Sequence, residues 1–359
     1  MKIKEFKLIS FASEFWRTNA LDSFLDNTDT KDKVSKTRSI MEFLKRKIAA
    51  GEAKIDSSPR FYVLSLTNET KHVTSLIAEI EYNEKNVFIP NEETHHDKTI
   101  AYKKIFEQYQ MQINPILTFY DGETSIKEIV YEFISQKEPK IMAKINGLEY
   151  MLWEIKEPLE LQALKNKIAF IDKLYIADGH HRFTLFKEAT TKRNTSIVVS
   201  ITDSESILLL SCHRVITRPI DVNWKEKIGR FCTLKKLEAI PARAETPIII
   251  LKNYEIYSVS FKGNITGRTS YYAAIERDII DSSFGVSDMA HDVFPLPGSV
   301  HPRDADLIFK SWNNCEAIIF IPDMEIREFL NTIKNGKKLP PTSTWFEPKI
   351  IDGFIMAKF

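Results

Sequence analysis

Leu174-Tyr175-Ile176-Ala177-Asp178-Gly179-His180-His181-Arg182 decides how this chain is read. Lys173 to Ala177 is a short apolar run that predicts a strand, and Asp178-Gly179 is a tight-turn dipeptide. Phe183 to Lys192 has helical character beginning directly after the histidines. Strand, glycine turn and helix N-terminus in that order build an anion site, because the first amides of a helix lack intrahelical acceptors and carry partial positive charge. Gly179 lets backbone approach a phosphate closely. His180 and His181 donate hydrogen bonds when protonated, and Arg182 offers a planar fork for phosphate oxygens. The plain alternative is an Asp-Gly turn with surface histidines. Four polar groups converging within five residues favour a functional reading.

Outward from this run, both structural periods occur. Between Lys31 and Lys54, Ile40, Phe43, Leu44 and Ile48 recur at helical spacing, with Gly51 as the stop. Phe61 to Leu66 and Ser75 to Ile80, separated by Thr67 to Lys71, predict a hairpin. Asp97 to Gln110 predicts a helix, Pro115 to Tyr120 a strand ended by Asp121-Gly122, and Thr124 to Gln136 a helix. A strand follows near Tyr150 to Ile155, then a helix over Leu159 to Ile171. Ser196 to Thr202 and Ile207 to Leu210 predict two more strands. Beyond Asn223, a helix through Phe231 and strands at Pro247 to Leu251, Ile256 to Phe261 and Tyr271 to Ala274 suggest a second unit, with Pro241 to Pro247 a possible seam. The expected fold is α+β, a mixed sheet with flanking helices. The expected division is a helical segment over 1–59, a core over 60–218 and a C-terminal α+β subdomain over 219–359.

The chain has 359 residues, 43% hydrophobic and 28% charged, enough for a substantial core and two or three structural units. Fifty Lys and Arg against 49 Asp and Glu leave a formal charge of +1, so no global field draws the chain to nucleic acid or a membrane surface. Any anion must be held locally. Met1 to Lys7 lacks the apolar block of a signal peptide, and the cytoplasm is the expected location. Cys212, Cys232 and Cys315 have no CxxC spacing and read as small core residues. GxxxxGK[ST] and GxGxxG are both missing, so a nucleotide would need another cradle.

Two further clusters carry chemistry. Asn91-Glu92-Glu93-Thr94-His95-His96-Asp97 follows the strand-like Asn86 to Ile89. Glu92 could serve as general base for a hydroxyl or as a magnesium ligand, whereas the bland reading is an acidic loop capped by Thr94 or Asp97. A histidine metal site joining His95, His96 and Asp97 to His180 and His181 ranks lower, because consecutive residues rarely both face one ion and HExxH is missing. The other cluster is Leu339-Pro340-Pro341-Thr342-Ser343-Thr344-Trp345-Phe346-Glu347-Pro348-Lys349. Its hydroxyls and Lys349 could meet phosphate, and Trp345 with Phe346 could pack a base or the core.

In this order the three clusters resemble the bacterial and archaeal family catalogued as domain of unknown function 1015. Its pattern has a His-Glu-x-Thr segment, an Ala-Asp-Gly-His-His-Arg run and a late Pro-Pro-x-Ser-Thr-Trp-Phe-Glu-Pro-Lys. Here Ala177 to Arg182 and Pro340 to Lys349 match, with Thr342 at the variable position, and Asn91 stands where the family has His. Asn114 to Tyr120 and His213 to Ile216 are also similar, and the family's Pro-Pro-Tyr-Asp segment is missing from the first sixty residues. The Asp178 to Arg182 run is further similar to the phosphate-binding turn of the ParB and sulfiredoxin fold, including its free-serine kinases. That resemblance implies a ParB/sulfiredoxin-like core, ATP or ADP with Mg2+, and a small hydroxyl-bearing metabolite, free L-serine first. It implies Glu92, Asp178, His180 and His181 as catalytic residues, and Gly179, Arg182, Thr94, Ser343, Thr344 and Lys349 as phosphate- or nucleotide-binding residues. Two alternatives stay open: a non-catalytic nucleotide- or phosphometabolite-binding regulator, and a phosphate-ester hydrolase.

Overall fold

A computed structural model describes residues 2–17, 33–69, 71–81, 87–92, 103–104, 106–122, 126–189, 196–263, 271–312 and 314–358. The chain divides into two compact units. The first holds Met1–Pro90, Thr94–Leu208 and Pro348–Phe359, and the second holds Asn91–Glu93 and Leu209–Glu347.

In the first unit a nine-stranded mixed sheet runs in the order Phe88–Ile89, Leu174–Asp178, Ile116–Tyr120, Ser196–Asp203, His72–Glu81, Phe61–Thr67, Leu148–Ile155 and Ile141–Ile145, with Ile3–Lys4 added beside His72–Glu81. Leu174–Asp178 lies parallel to Phe88–Ile89, and Ser196–Asp203 parallel to Ile116–Tyr120. The expected hairpin closes with Thr67 opposite His72. Alternation along each strand separates two apolar layers. Tyr62, Leu64 and Leu66 pack with Ile40 and Leu44 of the helix Lys33–Ala49. Phe61 and Val63 pack in the other layer with the helices Ile126–Ser135 and Pro158–Ile168 and with Phe183 and Phe186. Gly51 ends the first of these helices as expected, its φ of +75° letting its N–H reach Ile48 O at 3.0 Å.

Three features of this unit depart from the sequence reading. The first sixty residues are not only helical: Leu8–Phe11 and Ala53–Ile55 join Met356–Lys358 and Met111–Gln112 in a four-stranded sheet. The strand Ile141–Ile145 was not expected, and it pairs with Leu148–Ile155 through Asn146-Gly147, both at positive φ as a tight hairpin turn demands. The helix after Asp178 begins at His180, three residues earlier than the periodicity suggests, so both histidines lie in its first turn. Half of the helix expected over 97–110 lies outside the described residues, and 103–104 and 106–109 are helical.

The second unit is a six-stranded antiparallel sheet in the order Cys232–Leu237, Ile256–Phe261, Ile248–Leu251, Ala317–Phe320, His213–Ile216 and Val293–Leu296. Val215, Ile248, Ile250, Ile318 and Phe320 form its core. Pro241 to Pro247 leads into one of these strands and lies inside the unit, so it is no seam. Tyr271–Ala274 is helical rather than extended and runs on into the π-helix Ile275–Asp281. Leu208–Ser211 pairs with Thr344–Glu347 as a two-stranded sheet. All three cysteines are buried and none forms a disulfide. Both units combine helices with sheets, and the architecture is α+β with a mixed sheet and flanking helices, as expected.

Candidate functional site

The turn at Asp178 is built in the first unit. A β-bulge between Ile176 and Asp178 shifts the pairing with Ile116–Tyr120 and ends the strand. Gly179 then takes φ +99°, a conformation that side chains resist, and the helix His180–Ala189 starts at the next residue. Phe183 and Phe186 anchor that helix in the core. The Arg182 guanidinium lies directly over Gly179: a Cβ built there would stand 3.0 Å from one of its terminal nitrogens. Any side chain at 179 would therefore push the guanidinium away.

Arg182 is held on two sides. Its Nη2 donates to Asp178 Oδ2 at 2.9 Å, and its Nη1 to the carbonyl oxygens of Asn114 at 2.7 Å and Pro115 at 3.3 Å. Lys349 Nζ donates to the other oxygen, Asp178 Oδ1, at 3.1 Å. Burial works against the charged carboxylate, but Lys349 first and then Arg182 outweigh it, with His180 adding to the same field, and the Asp178 carboxyl is held down to about 2. One carboxylate thus faces two fixed cations, and the turn retains an excess of positive charge. Asn114 fastens the arrangement: its Nδ2 donates to Ile350 O at 2.7 Å and to Asp352 Oδ1 at 2.9 Å, next in sequence to Lys349. His180 and His181 are half-buried in the same turn.

Glu92 belongs to the second unit and is 9% exposed. It forms an isolated parallel bridge with Leu339, and Leu339 N–H donates to Asn91 O at 2.9 Å. Its Oε2 accepts from Thr342 N–H at 2.9 Å, and its Oε1 accepts from Thr344 N–H at 2.8 Å and from the Thr344 hydroxyl at 2.5 Å. Three donors on a carboxylate with about four acceptor positions leave about one lone pair, on Oε2. Thr342 holds φ +58°, which costs a β-branched residue. Ser343 is fully buried and its hydroxyl donates to Pro340 O at 2.8 Å.

These positions revise the sequence expectations residue by residue. Asp178, Gly179, His180, His181, Arg182 and Lys349 share one unit, and Lys349 meets Asp178 across 171 residues of chain. Glu92, Ser343 and Thr344 share the other. The hydroxyl protons of Ser343 and Thr344, expected to meet phosphate, are engaged by Pro340 O and by Glu92. Phe346 packs into the core against Phe329, while the Trp345 indole N–H donates to Glu347. Thr94, His95, His96 and Asp97 lie outside the described residues. Among the described residues no group of three or more His, Cys, Asp or Glu converges, and each Asp178 oxygen already has a cation, so the described residues do not form a site that fits a resident metal. No described helix is long and apolar enough to cross a membrane. Sequence reasoning passed over Asn114 and Arg214 as site residues, although both stand in stretches noted for family similarity.

The solved structures similar to this chain share little sequence with it. SbnI with a C-terminal truncation from Staphylococcus aureus is 11% identical, with TM-score 0.43, over 78% of this chain and 86% of that one. A conserved hypothetical protein from Pyrococcus furiosus is 13% identical, with TM-score 0.43, over 79% and 94%. A free serine kinase mutant in complex with AMP is 10% identical, with TM-score 0.43, over 79% and 92%. No curated protein matches. A family model matches residues 19–278, a span that takes in Asn91 to Thr94 and Ala177 to Arg182 and ends before Pro340, and by it the chain belongs to the family described as Protein of unknown function (DUF1015).

Proposed function

We propose that the chain is a nucleotide-dependent phosphotransferase acting on the hydroxyl of a small molecule, with free L-serine the first acceptor to test. The observation that carries this reading is the turn at Gly179, where a helix N-terminus, Arg182 and Lys349 gather donors and positive charge around a single carboxylate. Phosphoryl transfer needs positioning and charge neutralisation more than covalent help, and such a turn supplies both. Magnesium enters as part of the substrate, carried on ATP or ADP, because magnesium is commonly held by substrate phosphates with one or two carboxylates. Glu92 is the base in this reading, acting through the lone pair that its loop leaves available.

The test is product formation from ATP or ADP, magnesium and a panel of amino acids and small alcohols. Glu92→Gln abolishes turnover, by about 100-fold or more, and leaves nucleotide binding by calorimetry within about twofold. Unchanged turnover in that variant removes Glu92 as base. One observation favours a second reading, a nucleotide-binding regulator without turnover: three of about four acceptor positions of Glu92 hold Thr342 and Thr344. Nucleotide binding by the wild-type protein with no product from any acceptor decides for the regulator.

A further inference from the structure

Arg214 is 3% exposed, on the strand His213–Ile216 of the second unit's sheet. Its Nη1 donates to three carbonyl oxygens, of Cys212 at 3.0 Å, His213 at 3.3 Å and Thr342 at 3.0 Å, and its Nη2 pairs with Glu276 Oε1 at 2.8 Å. A buried guanidinium is expensive to desolvate and persists where its donors are satisfied. Here one of them goes to the residue that carries the strained backbone. Thr342 is gripped on both sides, its C=O by Arg214 and its N–H by Glu92. The next carbonyl, Ser343 O, accepts from Cys212 N–H at 3.0 Å, so the strand that carries Arg214 holds the loop twice. Released from those bonds, Thr342 would relax out of the left-handed region, turning its N–H away from Glu92.

We propose that Arg214 is a positioning residue for Glu92, acting through the backbone of Thr342: by holding the carbonyl on one side of that residue it holds the φ and ψ that aim its N–H, and so fixes which oxygen of Glu92 keeps a lone pair and where that lone pair points. Glu276, at the start of the π-helix, holds Arg214 in turn. This inference rests on the reading of Glu92 as base, and its test separates the two.

Arg214→Lys keeps the charge beside Glu276 but cannot reach both the carboxylate and the three carbonyls. Thr344→Val removes one hydrogen bond to Glu92 with almost no change in shape. Both are measured for turnover, for nucleotide affinity and for amide hydrogen exchange. Turnover falls about 10- to 100-fold in Arg214→Lys and about tenfold in Thr344→Val, the loss expected from a small misplacement of a reacting group. Nucleotide affinity stays within about twofold. The Thr342 amide exchanges at least about tenfold faster in Arg214→Lys, while Ile249 and Ile319 in the sheet keep their protection. If the sheet also loses protection, the variant has unfolded and Glu276→Ala, which removes the carboxylate that holds Arg214, decides by the same two readouts, unchanged turnover and unchanged exchange at Thr342 overturning the proposal. Wild-type turnover with wild-type exchange at Thr342 overturns the proposal. If the wild-type protein transfers phosphate to no acceptor, the phosphotransferase reading falls, and the exchange of Thr342 still decides whether Arg214 sets the loop.

Discussion

The turn at Asp178 and the loop at Thr342 each organise themselves around one carboxylate, by opposite means. Asp178 is a third exposed in its side chain and answers two cations, Arg182 and Lys349. Glu92 is buried and answers neutral donors: two backbone N–H groups and a hydroxyl. Cations on long side chains can exchange a carboxylate for a phosphate, because the partner they want is any anion. Backbone amides fixed by a loop cannot follow a ligand, so they define a direction instead. The first arrangement suits capture, the second suits aim.

That contrast can be broken most sharply at Lys349. Lys349→Ala should weaken the binding of magnesium-bound ADP by about 10- to 100-fold, the worth of a charge-assisted hydrogen bond, with calorimetry as the measurement. Equal affinity in the variant would make the Asp178 cluster a structural ion network and remove it as a capture site. Gly179→Ala is the next largest effect. It forces a side chain into a positive-φ turn and against the Arg182 guanidinium, so it should lower stability by about 1–2 kcal/mol in denaturant unfolding and weaken nucleotide binding as well. Wild-type behaviour in both would show that the turn does not need its glycine.

Acid titration gives the smallest and most selective effect. In the second unit, burial pushes His213 down to about 4, with the backbone bond to Val300 opposing it and Arg214 adding to it. Its Nδ1 accepts from Ile321 N–H at 3.1 Å, so the folded unit needs the neutral ring. A histidine whose pKa is depressed on folding contributes stability above its ordinary value near 6.5, and that contribution drains away as the pH falls from 6.5 toward 4. Asp178, held at about 2, contributes stability above 3.8 and loses it only as the pH falls from there toward 2. Amide exchange followed from pH 7 to pH 3 should therefore loosen Ile319 and Ile321 before Ile176. The reverse order would contradict both assignments.

Much of this organisation is legible in the residues. Ile40, Leu44 and Gly51 mark a helix and its stop, the two β-rich runs before Ile80 mark a hairpin, and Asp178-Gly179 marks the turn where it occurs. Asn146-Gly147 is equally legible, since Asn-Gly between apolar alternations is a strong hairpin signal, and it marks the strand Ile141–Ile145 that pairs back on Leu148–Ile155. Other features have no local signature. Helical period starts at Phe183 because only from there do side chains face the core, whereas His180 begins the helix through backbone geometry alone. Tyr271–Ala274 looks β-prone in composition, and its neighbours in the chain carry it into a helix instead. Lys349 with Asp178, and Arg214 with Thr342, meet across more than a hundred residues, and nothing in either segment names its partner.

The position of Thr342 carries a further meaning for how this sequence can drift. Two of the three bonds that hold Glu92 come from main-chain amides, at Thr342 and Thr344, and the grip of Arg214 falls on a main-chain carbonyl. Those atoms are the same whatever the codon specifies, proline apart. Thr342 can therefore vary without removing a single one of them, and what the genome must conserve at that position is a willingness to bend left-handed rather than any chemistry of its own.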